Sequence, residues 1–416
     1  LALRAKARNV GFTIDAEEAD RLELSLDLIE ALAIDPELAG WNGLGLAVQA
    51  YQKRALPVID WLADLAHRAN RRLMVRLCKG AYWDAEIKMA QERGLSDYPV
   101  FTRKVSSDVS YLACARRLFA DPAAFYPAFA THNAHTLAAV AEIAVSAGGS
   151  DEWEYQRLHG MGEELYDQIV GENKWGRACR VYAPVGSHED LLSYLVRRLL
   201  ENGANSSFVN RIADATLPIA ALIADPVEKA AALTSKRQAR IPLPRDIFGA
   251  ERANSEGLDM NDKPILEDLR SAIMESARVS YVAAPLIGGR PRTGAGKPVL
   301  SPADQRDVVG QVIEASIADV GDAMATAQAA FPGWEGTPAS ERAAALEGAA
   351  DRMQGRLPEL VALIVREGGR TQADAVSEVR EAIDFCRYYA AQAREKFSEP
   401  ILLPGPTGER NSLSLH

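Results

Sequence analysis

The stretch LGLAVQAYQKRALPVIDWLADLAHRANRRLMVRLCKG, residues 44–80, decides the fold. It opens on a short apolar run, LGLAVQAY (44–51), passes through an amphipathic segment, ALPVIDWLADLAHRANRR (55–72), and closes on a second apolar run, LMVRLCKG (73–80). That order predicts two parallel strands joined by a crossover helix. The same alternation extends from the start of the chain to about residue 205. Further strand candidates are NVGFTID (9–15), FYPAFATH (125–132), EYQRLHG (154–160) and CRVYAPVG (179–186), and the intervening helices include ADRLELSLDLIEAL and AAVAEIAVSA. No Gly-rich phosphate loop flanks a strand, so the six units predict a (β/α)8 TIM-like barrel without its first two units. A doubly wound sheet is the alternative architecture.

Nearly every strand candidate ends on polar or aromatic side chains: Asp15; Gln49 with Tyr51; Arg76 with Lys79 and Tyr82; Thr131 with His132 and Asn133; Gln156 with His159; Tyr182. In a barrel these ends converge on one mouth, where active sites sit. Any one of them alone reads equally well as a strand-terminal turn residue; six in succession favour a site.

A second informative stretch is SHEDLLSYLVRRLLEN, residues 187–202. Ser187 is a natural N-cap, with acids at Glu189 and Asp190, and Gly203 suits the C-terminal stop. Leu191, Leu192, Leu195, Val196, Leu199 and Leu200 recur at helical spacing, and Tyr194, Arg197, Arg198 and Glu201 share the adjoining stripe. Two guanidiniums on one side grip a small anion bidentately. The competing reading is a solvated face with an Arg197–Glu201 pair.

The 416 residues are 48% hydrophobic and 25% charged, ordinary for folded protein and too long for one core. A net charge of −10 argues against nucleic acid as a partner of this segment. Cys78, Cys114, Cys179 and Cys386 are far apart and form no metal-binding or disulfide pattern, which suits a cytoplasmic setting. No apolar run is long enough to cross a bilayer, so any membrane contact is expected to be peripheral. Both ends read as cuts: the first residues look like the approach to a strand, and SLSLH like another strand beginning. The segment KRQARIPLPRDIFGAERANSEGLDMNDKP (236–264) is rich in charge, proline and turn formers and predicts a partly ordered connector. After it, AAPLIGGRPRTGAGKPVLSPADQRDVVGQVIEAS predicts short strands. Helices are predicted at about 317–331, 338–354, 356–368 and 371–396. The division expected is 1–213 barrel, 214–284 connector and 285–416 second domain.

The runs TIDAEEADRLELSLDLIE (13–30), CKGAYWDAEIK (78–88), YPVFTRK (98–104), FATHNAHT (129–136), YQRLHGMGEELYDQ (155–168) and CRVYAPVGSHEDLLSYLVRRLLENGANSSFVN (179–210) closely resemble the proline dehydrogenase barrel of the bacterial proline utilization A family. SPADQRDVVGQV, Trp334 before TPASERAAALE, and REGGRTQADAVSEVREAIDFCRYYA resemble the start of that family's fused aldehyde dehydrogenase domain, an α/β fold. The resemblance implies FAD-dependent oxidation of L-proline to pyrroline-5-carboxylate by hydride transfer from ring C5 to the flavin. NAD-dependent oxidation of glutamate semialdehyde to glutamate follows in the parent protein. It also implies a membrane quinone as electron acceptor, peripheral contact with the inner membrane, and a homo-oligomer.

Residue by residue, the resemblance implies that Arg197 and Arg198 hold the proline carboxylate, with Tyr82, Leu158, Tyr182 and Tyr194 as a wall that excludes water. Asp15 stands close to the substrate. Gln49, Arg76, Lys79, Gly80, Tyr82, Trp83, Thr131, His132, Asn133, Gln156 and Glu201 are implied to contact FAD. Positive charge from Arg76 and Lys79 suits a reduced flavin, Gly80 leaves room for backbone beside the ring system, and His132 and Asn133 suit phosphate or ribose. No metal and no covalent nucleophile are expected. A strand-end lysine of the missing units, the NAD site and the aldehyde dehydrogenase cysteine are expected to lie outside this chain. A monofunctional proline dehydrogenase and a catalytically silent scaffold are the competing functions, and hydroxyproline the competing substrate.

Overall fold

The computed structural model describes residues 1–148, 151–192, 194, 196 and 223–415. The chain divides into two compact units, one comprising Leu1–Met89 and Tyr98–Ile241, the other Ala90–Asp97 and Pro242–His416.

The first unit is built on six parallel strands, β1 (Phe12–Ile14), β2 (Leu44–Gln49), β3 (Leu73–Cys78), β4 (Phe125–Ala130), β5 (Glu154–Leu158) and β6 (Cys179–Tyr182). Each pairs with the next in chain order, and every neighbour is parallel. A doubly wound sheet needs a point where strand order reverses, and this sheet has none. It is an open arc of a barrel, with β1 and β6 at its edges among the described residues. All six expected strands are present.

Alternation within each strand sorts the two faces. Leu44, Leu46 and Val48 of β2, Leu73, Val75 and Leu77 of β3, Phe125 and Phe129 of β4 and Tyr155 of β5 join the core under the helices. The opposite, inner face therefore carries Ala47 and Gln49, Met74, Arg76 and Cys78, Tyr126, Ala128 and Ala130, Glu154, Gln156 and Leu158, and Arg180 and Tyr182.

The covering helices follow the same logic. In α3 (Ala55–Arg68), Val58, Ile59, Leu62, Ala63, Leu65 and Ala66 are buried at three- and four-residue spacing. Just past its end, Asn70 takes a left-handed φ of 46° that asparagine tolerates, which stops the helix. Two helices, α4 (Trp83–Glu92) and α5 (Lys104–Phe119), lie between β3 and β4. The start of the chain, expected as a strand approach, is the helix α1 (Ala2–Ala7). Its ALRAKA sequence is rich in strong helix formers. The aromatic rings of Phe119, Phe129, Trp153 and Tyr155 pack edge to face at centroid separations of 4.8–5.7 Å, closing the core beneath β4 and β5.

In the second unit, a helix at Lys263–Ser276 packs with those at Ala339–Gly355, Leu357–Gly368 and Gln372–Phe397 around Leu269, Ala350, Leu357, Val361, Ala375, Val379 and Ile383. Residues 263–276, expected within the connector, thus supply core. Their apolar spacing was masked by charged and turn-forming neighbours. The predicted short strands form a sheet of order Lys297–Leu300, Val308–Val312, Tyr281–Ala283. Arg366, 7% exposed, donates to both carboxylate oxygens of Asp307 and to the Ser276 carbonyl, so its buried charge is paired. The chain's last strand, Asn411–Leu413, agrees with the expectation for SLSLH. No helix among the described residues is long and apolar enough to cross a membrane.

Because Leu62 is fully buried, Leu62→Ala is expected to lower stability by about 2–5 kcal/mol in chemical denaturation. Leu56→Ala, on the exposed side of the same helix, is expected to change it by roughly 0.5 kcal/mol or less.

Candidate active site

The carboxyl ends of the strands bring four of the expected residues, Asp15, Arg76, Gln156 and Tyr182, together on the inner face. Arg76, near the end of β3, is the hub. Its Nε donates to Gln156 Oε1 at 2.7 Å, its Nη1 donates to Asp15 Oδ1 at 2.9 Å, and its guanidinium lies 4.7 Å from the centroid of the Tyr182 ring. Four residues from β1, β3, β5 and β6 and their ends therefore meet at one point. Asp15 is 71% exposed and Arg76 only 16%, so the carboxylate covers the cation from the open side. Burial pushes the Tyr182 phenol up to about 12, partly opposed by Arg76. Tyr194 is half-buried and close enough to Tyr182 to influence its ionisation. Leu158 is buried at the end of β5, next to Tyr182 in the register.

A second group surrounds the loop after β1. Gln49 Nε2 donates to the Glu17 carbonyl at 2.6 Å, and the Tyr82 hydroxyl donates to the Glu17 carboxylate at 3.1 Å. Glu86, on α4, is 3% exposed and accepts from the Ala19 backbone N–H at 2.6 Å and from the Tyr51 hydroxyl at 3.4 Å. Burial raises the Glu86 carboxyl above its ordinary value, the Ala19 N–H lowers it, and Asp20 and Glu18 add to the rise. Lys79 pairs with Asp108 and sits 6.0 Å from the Tyr111 ring centroid.

Gly80 has φ +128°, and a Cβ there would lie 2.5 Å from Tyr51 Cγ. A side chain at this position would strike the Tyr51 ring. The remaining expected residues have local duties. Asn133 Oδ1 caps helix α6 (Ala134–Ser146) by accepting from Thr136 N–H at 3.0 Å, and Thr131 Oγ1 accepts from Asn133 N–H at 3.1 Å. His132 Nε2 accepts from Leu158 N–H at 3.3 Å, and Trp83 Nε1 donates to the Phe101 carbonyl at 2.9 Å.

Ser187 is the expected N-cap: Asp190 N–H donates to Ser187 Oγ at 3.3 Å, and Ser187 Oγ and N–H both donate to Asp190 Oδ2. Arg197, Arg198 and Glu201, farther along the sequence, lie outside the described residues.

Sequence reasoning missed Glu17, Glu86, Asp108, Glu154 and Arg180. Each partners an expected residue directly or through one other side chain. Glu17 and Glu86 stand inside motif runs already singled out, and a buried acid three residues after Trp83 is invisible to periodicity alone.

Residues 1–211 match the proline dehydrogenase family. The chain belongs to the proline dehydrogenase family. Beyond that proline dehydrogenase region, residues 291–414 match the aldehyde dehydrogenase family. The bifunctional protein PutA of Klebsiella aerogenes is 53% identical over 416 residues, 98% of this chain and 32% of that protein. The chain thus spans about one third of the length of the curated relatives it matches. The 1-pyrroline-5-carboxylate dehydrogenase 2 of Bacillus subtilis is 41% identical over 139 residues, 33% of this chain and 26% of that one. A crystal structure of a proline utilization A mutant from Bradyrhizobium japonicum superposes with a TM-score of 0.84 at 50% identity, covering 99% of this chain and 38% of that chain. The resemblance read from the motifs is borne out in both halves.

Gly80→Ala is expected to lower the melting temperature by several degrees, because it strains both backbone and ring packing. Glu86 makes a pH-dependent prediction. Its folded-state value is raised, so its favourable contribution is complete below the unfolded value of about 4.3 and is lost as pH rises through the folded value. Glu86→Gln is therefore expected to gain stability relative to the wild type as pH rises above about 4.3, read as the difference in denaturation midpoints.

Proposed function

We propose that residues 1–213 form the FAD-binding, proline-oxidising barrel of a bifunctional proline-catabolic enzyme. In this reading 214–284 connect to the opening part of an NAD-dependent glutamate semialdehyde dehydrogenase, 285–416. The observation that carries the proposal is the convergence of Asp15, Arg76, Gln156 and Tyr182 at the strand ends, within a chain of the proline dehydrogenase family.

The donor set suits a flavin. Arg76, Lys79, Gln49 and the Thr131 hydroxyl sit at the ends of adjacent strands, and the principal cation, Arg76, is oriented on its open side by the exposed Asp15 carboxylate. FAD bound there would supply the two-electron acceptor for the hydride of the proline ring. The chain's own residues do the positioning. Arg197 and Arg198 would clamp the substrate carboxylate with charge-assisted bonds, worth about 1.5–3 kcal/mol each. Tyr82, Leu158, Tyr182 and Tyr194 would exclude water from the reacting face, and Asp15 would keep Arg76 oriented. Tyr182 stays protonated across the working pH range and acts as a neutral wall and hydrogen-bond donor. Positioning and electrostatics supply the rate, without a covalent nucleophile.

In the full-length parent, a quinone in the membrane would accept the electrons, with the protein cytoplasmic, peripheral to the inner membrane, and homo-oligomeric.

The test is the visible absorption of the purified full-length parent, before and after anaerobic L-proline. A flavin spectrum that bleaches supports the reading; one indifferent to proline removes the substrate, and a colourless protein removes the cofactor. Arg198→Met is expected to raise the proline KM by tenfold or more, on the order of one lost charged bond. A KM within a few-fold of wild type would exclude the carboxylate clamp.

A further inference from the structure

Gln156 stands between two groups of opposite hydrogen-bonding kind. Its Nε2 donates to Glu154 Oε1 at 2.7 Å, and its Oε1 accepts from Arg76 Nε at 2.7 Å. An ionised carboxylate only accepts and a guanidinium only donates, so the orientation of the amide is forced. Turned over, it would set its NH2 against the guanidinium and its oxygen against the carboxylate, losing two charge-assisted bonds.

Glu154 is itself fixed. It is 4% exposed, accepts from Arg180 Nε and Nη2 at 2.7 Å each, and accepts from the Tyr126 hydroxyl at 3.4 Å. Strand β4 makes the bridge from β5 to β3 possible. The register sets Ala128 between Arg76 and Glu154, and Ala130 beside Gln156, so only methyl groups occupy the inner face where the two long side chains meet.

We propose that Glu154 is a positioning residue for Arg76. By locking the Gln156 amide it holds Arg76 Nε, while Asp15 holds Nη1, so a ligand on the inner face is met by the Nη2 edge in one direction. This rests on the reading that the inner face binds FAD.

The test uses apoprotein of the full-length parent, titrated with FAD and followed by quenching of flavin fluorescence. Glu154→Gln and Gln156→Leu are each expected to weaken FAD binding about tenfold, the scale of one charged hydrogen bond. The double variant is expected to be no weaker than the weaker single, because Glu154 acts through Gln156. Arg180 is 57% exposed and loses little when its partner is neutralised, which favours folding of the variants. Should Glu154→Gln fail to fold, Gln156→Leu, which cuts the link to Arg76 and leaves the Glu154–Arg180 pair its own two bonds, carries the same tenfold expectation. Wild-type affinity in Glu154→Gln, or two losses that multiply in the double variant, would overturn the positioning role. A wild-type apoprotein that takes up no FAD would instead overturn the functional reading beneath it.

Discussion

The two faces of the parallel sheet are the constraint from which the rest follows. On β3, Leu73, Val75 and Leu77 turn to the helices and are wholly buried, while Met74, Arg76 and Cys78 turn inward. Each fully buried aliphatic side chain contributes about 1.5–3 kcal/mol of hydrophobic stabilisation. A slip of one residue would exchange the faces, exposing those leucines and burying a guanidinium. The register is thereby fixed by the apolar face, and the polar face inherits its geometry without having to generate it.

That inheritance explains how a charged cluster persists on the inside of an arc of strands. Arg76 is held by Gln156, Asp15 and the Tyr182 ring, and Gln156 by Glu154, which Arg180 neutralises. Charges alternate along the chain of contacts, so no cation or carboxylate in it is left without a compensating neighbour. The loop after β1 is tied down differently, by Glu86 at Ala19 and by Gln49 and Tyr82 at Glu17. The burial that raises the Glu86 carboxyl is the cost of fastening this loop from within.

Much of this was legible in the chain. The six strands, the helices after β1, β2 and β4, the four helices from about residue 317 on, and the Ser187 cap announced themselves because each depends on spacing a few residues long. Asp15, Arg76, Gln156 and Tyr182 were legible as strand-end residues. Glu154, which holds Gln156, and Asp108, which pairs with Lys79, were not, because nothing local separates an acid that will be buried from one that will be solvated. The helix at Lys263–Ser276 was hidden for a related reason: its flanks are rich in turn formers, and only the packing of Leu269 against distant helices reveals its place.

The sequence by itself determined the periodicities, and with them the strand order, the crossover helices, the buried and open faces, and the family motifs. Local sterics and the segregation of apolar side chains depend on neighbours within a turn or a strand, so those features can be read along the chain. Only the tertiary structure decided which side chains meet. Arg76 and Gln156 are 80 residues apart, and their contact exists because β4 places two alanines between β3 and β5. The space beside Gly80 was likewise settled by Tyr51, brought against it by the pairing of β2 and β3. Hydrogen bonds between such residues depend on distances that the sheet sets, and no pattern within one strand contains them.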